Sequence, residues 1–411
     1  MKTLPLLLAL VAMTAVAQDR DIPADAMAIP AIRNHPTVRA AEAGIRAGQA
    51  QAVQIENPHE TQFKMGSQQR RETQTDTRYR EWDVGLERAI RLPGKSARDR
   101  ELGEQGVVYA KVALNDARHE TARLLLSGWF DWCREAVGVQ AWAEQVAVLR
   151  QQREVAARRV QLGDIPKLEL QLAESALAQA EAQLSQAAMR QESAALAFHG
   201  DFAAIPLPAQ PALETPTPLT ESREAWQEKL LAHNHELLLA RTAAMRAQLV
   251  ARRADADKVP DPSIGLRYGS ERGGSERITG FSLTIPLPGQ GRRAAADGAL
   301  AESDIAAQRE AQVLARVRSE SNRSIALAAS SYAAWRQLAD ANQRIENNVR
   351  LLDKAWRLGE GSFQDVLTAR RQSIESRLAA VQAQVDARYA WLRLQVDAHL
   401  LWDADDEPES P

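Results

Sequence analysis

"QLGDIPKLELQ" (Gln161–Gln171) and "RLGEGSFQDVL" (Arg357–Leu367) each interrupt a long stretch that otherwise reads as unbroken helix. Each break is a Leu-Gly pair followed, six residues after the glycine, by an acid: Glu169 in the first, Asp365 in the second. Glycine suits the residue just past a helix C-terminus. Pro166 suits the first turn of the next helix, and Ser362 can cap its counterpart. Each break therefore reads as the turn of an αα-hairpin.

The flanking sequence has a 3.5-residue rhythm. Trp335, Leu338, Asn342, Ile345, Val349, Leu352 and Trp356 are spaced alternately three and four apart. Ile374, Leu378, Val381, Val385, Tyr389, Leu392 and Val396 continue beyond the second break. Leu170, Ala173, Leu177, Ala180, Leu184 and Ala187 do the same beyond the first, with Trp142, Val146 and Leu149 before it. This is a coiled-coil pattern in which alanine at core positions allows close approach. From Gly94 to Leu162 such a helix reaches about 100 Å at 1.5 Å per residue, with "LSGWFDWC" (Leu126–Cys133) as a place for it to bend.

The chain is written twice. "NHPTVRAAEAGIRA" from Asn34 matches "NHELLLARTAAMRA" from Asn234, at an offset of 200. "AIRLPGK" from Ala89 matches "TIPLPGQ" from Thr284, at 195, and "QLGD" from Gln161 matches "RLGE" from Arg357, at 196. Three landmarks in one order mark a duplication. The first repeat is assigned to residues 18–200 and the second to 222–401, joined by a Pro-rich extended linker, 201–221. In each, a helix comes first (Thr37–Ile55; Ser222–Asp255). A β-hairpin follows (about 62–92; about 263–287), then Leu-Pro-Gly and the long helical hairpin with its tip near 163 or 359.

The strands alternate with period two. Ile264, Leu266 and Tyr268 share a face, as do Phe281, Leu283, Ile285 and Leu287. "SERGGSER" (Ser270–Arg277) supplies the turn. In the first repeat Trp82, Val84, Leu86 and Ile90 share a face that Arg88 interrupts, with a polar partner near Phe63–Arg71. Two hairpins give four strands, and a closed barrel needs about eight or more. Strands that span a membrane would therefore be shared among several chains.

The bulk composition agrees. The 411 residues carry a net charge of −3 and only 5% aromatics, with no basic aromatic patch for nucleic acid. "MKTLPLLLALVAMTAVA" (Met1–Ala17) reads as a secretory signal peptide, residues 1–17. No later apolar run approaches the roughly 20 residues of a membrane helix, so any crossing is by strands. The lone Cys133 reads as a core residue, and residues 402–411 as an acidic disordered tail. Enzyme chemistry finds no support. The seven histidines show no zinc or catalytic spacing, "HNH" (His233–His235) places two rings on different helix faces, and no HExxH or GxSxG is present. No cofactor is expected.

On these motifs the sequence resembles the TolC family of outer-membrane channel proteins, over essentially the whole mature chain. "GFSLTIPLPGQGRRAAADGALAES" (Gly280–Ser303) resembles the second strand-to-helix junction. "VGLERAIRLPGKSARDRE" (Val84–Glu101) is similar to the first junction in the heavy-metal, CzcC-like branch, and "AWRLGEGSFQDVLTARR" (Ala355–Arg371) to the second tip. The resemblance implies a mainly helical chain with a small β part. It implies a homotrimer sharing a twelve-stranded barrel in the outer membrane, and a helical tunnel through the periplasm. The tunnel would dock onto a periplasmic adaptor protein and an inner-membrane pump, of the RND type in the metal branch. The periplasmic entrance would be lined by Asp365, Glu169 and Trp356. The adaptor-contacting tips would be Arg159, Leu162, Gly163, Asp164, Arg357, Leu358, Gly359 and Glu360. A latching arginine of some members falls on Gly361, and a second entrance aspartate on Thr368, so neither feature is kept. The alternatives are a duct for drugs or secreted proteins, and a periplasmic coiled-coil scaffold that forms no channel.

Overall fold

Both Leu-Gly breaks are helix ends of one design in the computed structural model, which describes residues 21–404. The expected signal peptide, 1–17, and residues 405–411 of the expected tail lie outside the described residues, whereas Trp402 and Ala404, expected in a disordered tail, are buried in the core. The first hairpin is α3 (Pro93–Gln161) and α4 (Lys167–Asp201); the second is α7 (Gln290–Arg357) and α8 (Phe363–Asp397). At the end of α3, Asp164 N donates to Arg159 O at 2.9 Å and Gly163 N to Val160 O at 3.1 Å. At the end of α7, Glu360 N donates to Ala355 O at 2.9 Å and Gly359 N to Trp356 O at 3.0 Å. These are paired Schellman closures, and they require the left-handed backbone that Gly163 (φ 79°) and Gly359 (φ 82°) supply. Ser362 caps α8 through Gln364 N at 3.2 Å. Pro166 stands one residue before α4 begins, as its N-cap.

Four more helices, α1 (Asp25–Asn34), α2 (Pro36–Glu56), α5 (Arg223–Ala232) and α6 (His235–Ala256), pack beside the long hairpins. The helix expected over Ser222–Asp255 is two helices. The first ends at Ala232 with His233 as its C-cap, and Asn234 caps the second, accepting from Leu237 N at 2.8 Å, because an asparagine side chain competes with helical backbone bonding. α1, before the first expected helix, was not anticipated. α3 runs unbroken through "LSGWFDWC", which builds the main core instead of a bend. Trp129, Phe130, Trp132 and Cys133 bury against Ile32, Phe198, Val385 and Trp402. Trp129 Nε1 donates to Asp21 O at 2.7 Å. Burial holds the Cys133 thiol well above its ordinary pKa, so it is inert. Where α2 meets α3, a Cβ added to Gly103 would lie 3.0 Å from Ala52 Cβ, so the seam depends on small residues.

The strands β1 (Gln62–Glu72), β2 (Thr77–Ala89), β3 (Ser263–Glu271) and β4 (Glu276–Thr284) form one antiparallel sheet in that order. The hairpins of the two repeats thus join edge to edge through β2 and β3. Ile285 and Leu287, expected at the end of the last strand, lie beyond β4. Strands of 9 to 13 residues have the length of tilted membrane strands. Among the described residues, no helix is long and apolar enough to cross a membrane.

The sheet's two faces differ in chemistry. Phe63 stands opposite Leu86, Leu86 opposite Leu266, and Leu266 opposite Phe281, a continuous apolar row across all four strands. Met65, Val84 and Tyr268 make the adjacent row. Phe63, Leu266 and Phe281 are 66%, 63% and 68% exposed, so none of the described residues covers this row. The other face carries ion pairs across strands: Lys64 with Glu87, Arg267 with Asp83 at 3.3 Å, and Arg70 with Glu81 and Glu271, both at 3.1 Å. Within the described chain, β1 and β4 each pair on one side only.

Candidate functional site at the hairpin tips

The two tips pack on each other. Trp356, Phe363 and Val366 of the second hairpin bury with Ala156 and Ala173 of the first. Trp356 sits against Phe363 with ring centroids 4.9 Å apart, and the Arg159 guanidinium lies 5.1 Å over its other partner surface, the indole ring. A cation over an aromatic face is attracted to its electron density. Trp356 is 4% exposed. Within one chain this residue therefore glues tip to tip. Trp356, expected on the entrance lining, is enclosed between the two tips of the described chain.

Asp365 and Glu169 hold equivalent places, each the third residue of its helix after the cap. An acid there is favoured by the helix dipole. They differ in setting. Asp365 is exposed, whereas Glu169 is half-buried and its Oε2 is enclosed with no hydrogen-bond partner in the chain. A buried carboxylate oxygen without a donor is costly. Behind them, Arg357 pairs with Asp353 at 2.8 Å and Arg370 with the same aspartate at 3.0 Å, cross-linking α7 to α8 near the tip.

The outermost tip residues face out. Leu162 and Leu358 are exposed apolar side chains at matching positions, flanked by exposed Asp164 and Glu360. Gly361 is a position of close approach. A Cβ there would lie 3.1 Å from Trp356 N and 3.3 Å from Ala355 Cβ, so this turn has no room for a larger side chain. Thr368 joins Arg371 and Glu375 of α8 and Gln179 and Gln183 of α4 around a groove of about 450 Å³ between the two hairpins.

Sequence reasoning missed two clusters. One is the ionic clamp where strands become helices. Arg91 binds Asp99, Asp257 and Asp261, Lys95 binds Asp261 at 2.9 Å, and Arg253 binds Asp99 at 2.5 Å. Its signal was the charged "RLPGK", but Asp257, Asp261 and Arg253 come from the other repeat. The other cluster is a histidine group formed by His119, His235 and His399. Only its "HNH" member was visible in the sequence.

No protein-family model matches this sequence, and no curated protein matches it. Solved structures do. The CmeC outer membrane channel of Campylobacter jejuni aligns with a TM-score of 0.75 at 15% identity, over 94% of this chain and 87% of that one. The outer-membrane channel OprN aligns at 0.79 and 16%, over 92% and 90%. The outer membrane protein VceC of Vibrio cholerae aligns at 0.76 and 17%, over 91% and 95%. At these identities the likeness is one of fold: the chain has the architecture of outer-membrane channels, the one its junction and tip motifs resemble.

Proposed function

We propose that this chain is the outer-membrane duct of a tripartite efflux system, passive and non-enzymatic, of the TolC type. The observation that carries the proposal is the four-stranded sheet, apolar on one face, ionic on the other and open at both edges. A row of exposed Phe and Leu is costly in water, and open edges in lipid are not tolerated. Three copies closing edge to edge would satisfy both, with Phe63, Leu266 and Phe281 against lipid and Lys64, Asp83 and Arg267 toward the lumen. The α3–α4 and α7–α8 hairpins would then form the periplasmic tunnel. Leu162, Gly163, Asp164 and Arg159 of one tip, and Leu358, Gly359, Glu360 and Arg357 of the other, would meet the adaptor protein. Asp365 and Glu169 would repeat around the three-fold axis, and rings of acids at a constriction favour cations. The junction "VGLERAIRLPGKSARDRE" supports heavy-metal cations, delivered by an RND pump, as the cargo.

Membrane fractionation followed by native mass determination in mild detergent tests this reading. A trimer recovered from the outer membrane is the expected result. A monomeric periplasmic protein would overturn it.

A further inference from the structure

Away from the strands and the tips, three histidines distant in sequence meet. His119 lies in α3, His235 is the first residue of α6, and His399 follows α8. One ring nitrogen of each lies within 4.8 Å of the others. Ring centroids are 4.7 Å apart for His235 and His399, 5.0 Å for His119 and His399, and 5.7 Å for His119 and His235. The group is largely enclosed: His235 is 8% exposed, and the side chains of His119 and His399 are 9% and 13%. A core needs no such group, since imidazoles are polar and a leucine fills space at lower cost.

The surroundings are those of metal ligands. A ligating histidine is typically oriented through its second nitrogen by a carboxylate or a carbonyl. His119 Nε2 lies 3.6 Å from Asp397 Oδ1. His399 Nε2 lies 3.2 Å from His233 O. Asp397 is itself fixed by Arg123 at 2.8 Å and Arg393 at 3.0 Å. Asp116, one turn before His119, is half-buried beside both His119 and His235.

The backbone adds an independent observation. α8 ends in the same Schellman closure as the two tips, with Leu400 N donating to Gln395 O at 2.8 Å and His399 N to Val396 O at 3.0 Å. The tips place glycine at the left-handed position. Here it is His399, at φ 56°, a conformation that L side chains rarely adopt. A histidine kept where glycine is favoured is accounted for if its ring is used.

We propose that His119, His235 and His399 bind one divalent transition-metal ion of the zinc class, as a three-histidine site whose fourth position is left to water. Imidazole suits Zn²⁺, Cu²⁺ and Ni²⁺. Nitrogen donors at about 2.0–2.1 Å from a tetrahedral ion lie roughly 3.4 Å apart, so the rings close on the ion by side-chain rotation. The ion joins α3, α6 and the end of α8, three elements held together here without a covalent link. This site does not depend on the channel reading or on the cargo.

The test uses the full chain purified in detergent without a histidine tag and stripped by chelator. Zn²⁺ is titrated calorimetrically with metal counted by mass spectrometry, and Co²⁺ is followed by visible absorption. We expect one Zn²⁺ per chain, an intense tetrahedral Co²⁺ band, and a thermal midpoint that rises with Zn²⁺. His399→Gly removes a ligand while supplying the residue its backbone favours. It is expected to stay folded, to lose the Co²⁺ band and to bind Zn²⁺ at least about tenfold more weakly. Wild-type protein that binds no more Zn²⁺ than His399→Gly would overturn the site. So would an octahedral, weakly absorbing Co²⁺ spectrum in the wild type, which decides the matter even if the variant fails to fold.

Discussion

Arg91 forks onto Asp99, with Nε 2.6 Å from Oδ2 and Nη2 2.9 Å from Oδ1. Its remaining nitrogen reaches into the second repeat, to Asp257 at 2.7 Å and Asp261 at 2.9 Å. One guanidinium thereby fastens the first strand-to-helix junction to the segment that leads into β3. Asp99 is completely buried. Removing Arg91 leaves this buried carboxylate to Arg253 alone, so its charge is only partly compensated, which costs more than the pair contributes. Arg91→Ala is expected to lower stability by about 3–5 kcal/mol. Arg91→Lys should recover little of it, because an ammonium cannot fork. Urea unfolding of the detergent-solubilised protein measures both, and equal stability of wild type and Arg91→Ala would show the clamp to be idle.

The same clamp sets a pH response. For Asp261, burial pushes the carboxyl up, but hydrogen bonds from His59, Lys95 and Arg91 outweigh it and hold the group well below the usual range. For Asp99, burial is likewise overcome by Arg91 and Arg253. A carboxylate depressed in the folded state stabilises fully above its unfolded pKa of about 3.9 and loses that contribution as pH falls toward the folded value. Stability should therefore fall steeply below about pH 4. Asp261→Asn should be weaker at neutral pH and show a shallower acid loss. Parallel pH curves for the two proteins would remove Asp261 from the account.

The sheet's faces predict opposite outcomes for two arginine substitutions. Leu283 shares the apolar face, while Gln62 lies on the ionic one. An arginine on the lipid face of a barrel costs about 2–4 kcal/mol at mid-membrane. Leu283→Arg should block outer-membrane insertion, and Gln62→Arg should leave it intact. Fractionation with heat-modifiability on gels reads the result, and normal insertion of Leu283→Arg would mean the face is misassigned.

If Asp365 lines the entrance as proposed, Asp365→Asn removes one charge per chain there without changing shape. Less mutual repulsion should stabilise the closed state and lower the preference for cations. Single-channel recording in planar bilayers checks both, and unchanged conductance and selectivity would exclude Asp365 from the constriction.

Trp356 joins the two hairpins at their tips, so Trp356→Ala should cost about 3–5 kcal/mol as a buried aromatic truncation. Because the lost contact is between hairpins, the tips should also loosen. Raised leak conductance and faster proteolysis near Gly359 are expected. A stability loss without either change would confine Trp356 to packing.

Several elements were legible in the sequence because each rests on a local rule. Gly163 and Gly359 marked the helix ends through their need for a left-handed backbone. Alternation in Ser263–Gly269 and Thr279–Leu287 marked strands and assigned their faces. Ser362 marked a cap, and the repeated landmarks gave the order of elements. The split of the Ser222–Asp255 helix was also written locally, in Asn234, but the continuous apolar periodicity around it obscured the cap.

What the sequence by itself determined is the inventory: two repeats, four strands, two long hairpins and the glycine turns between them, all set by interactions within a few residues. What only the tertiary structure decided is which of these residues meet. Arg91 and Asp261, Arg159 and Trp356, and His119, His235 and His399 are each separated by more than a hundred positions. Their pairing follows from how helices and strands pack side by side, and the distance along the chain between two residues carries no information about that.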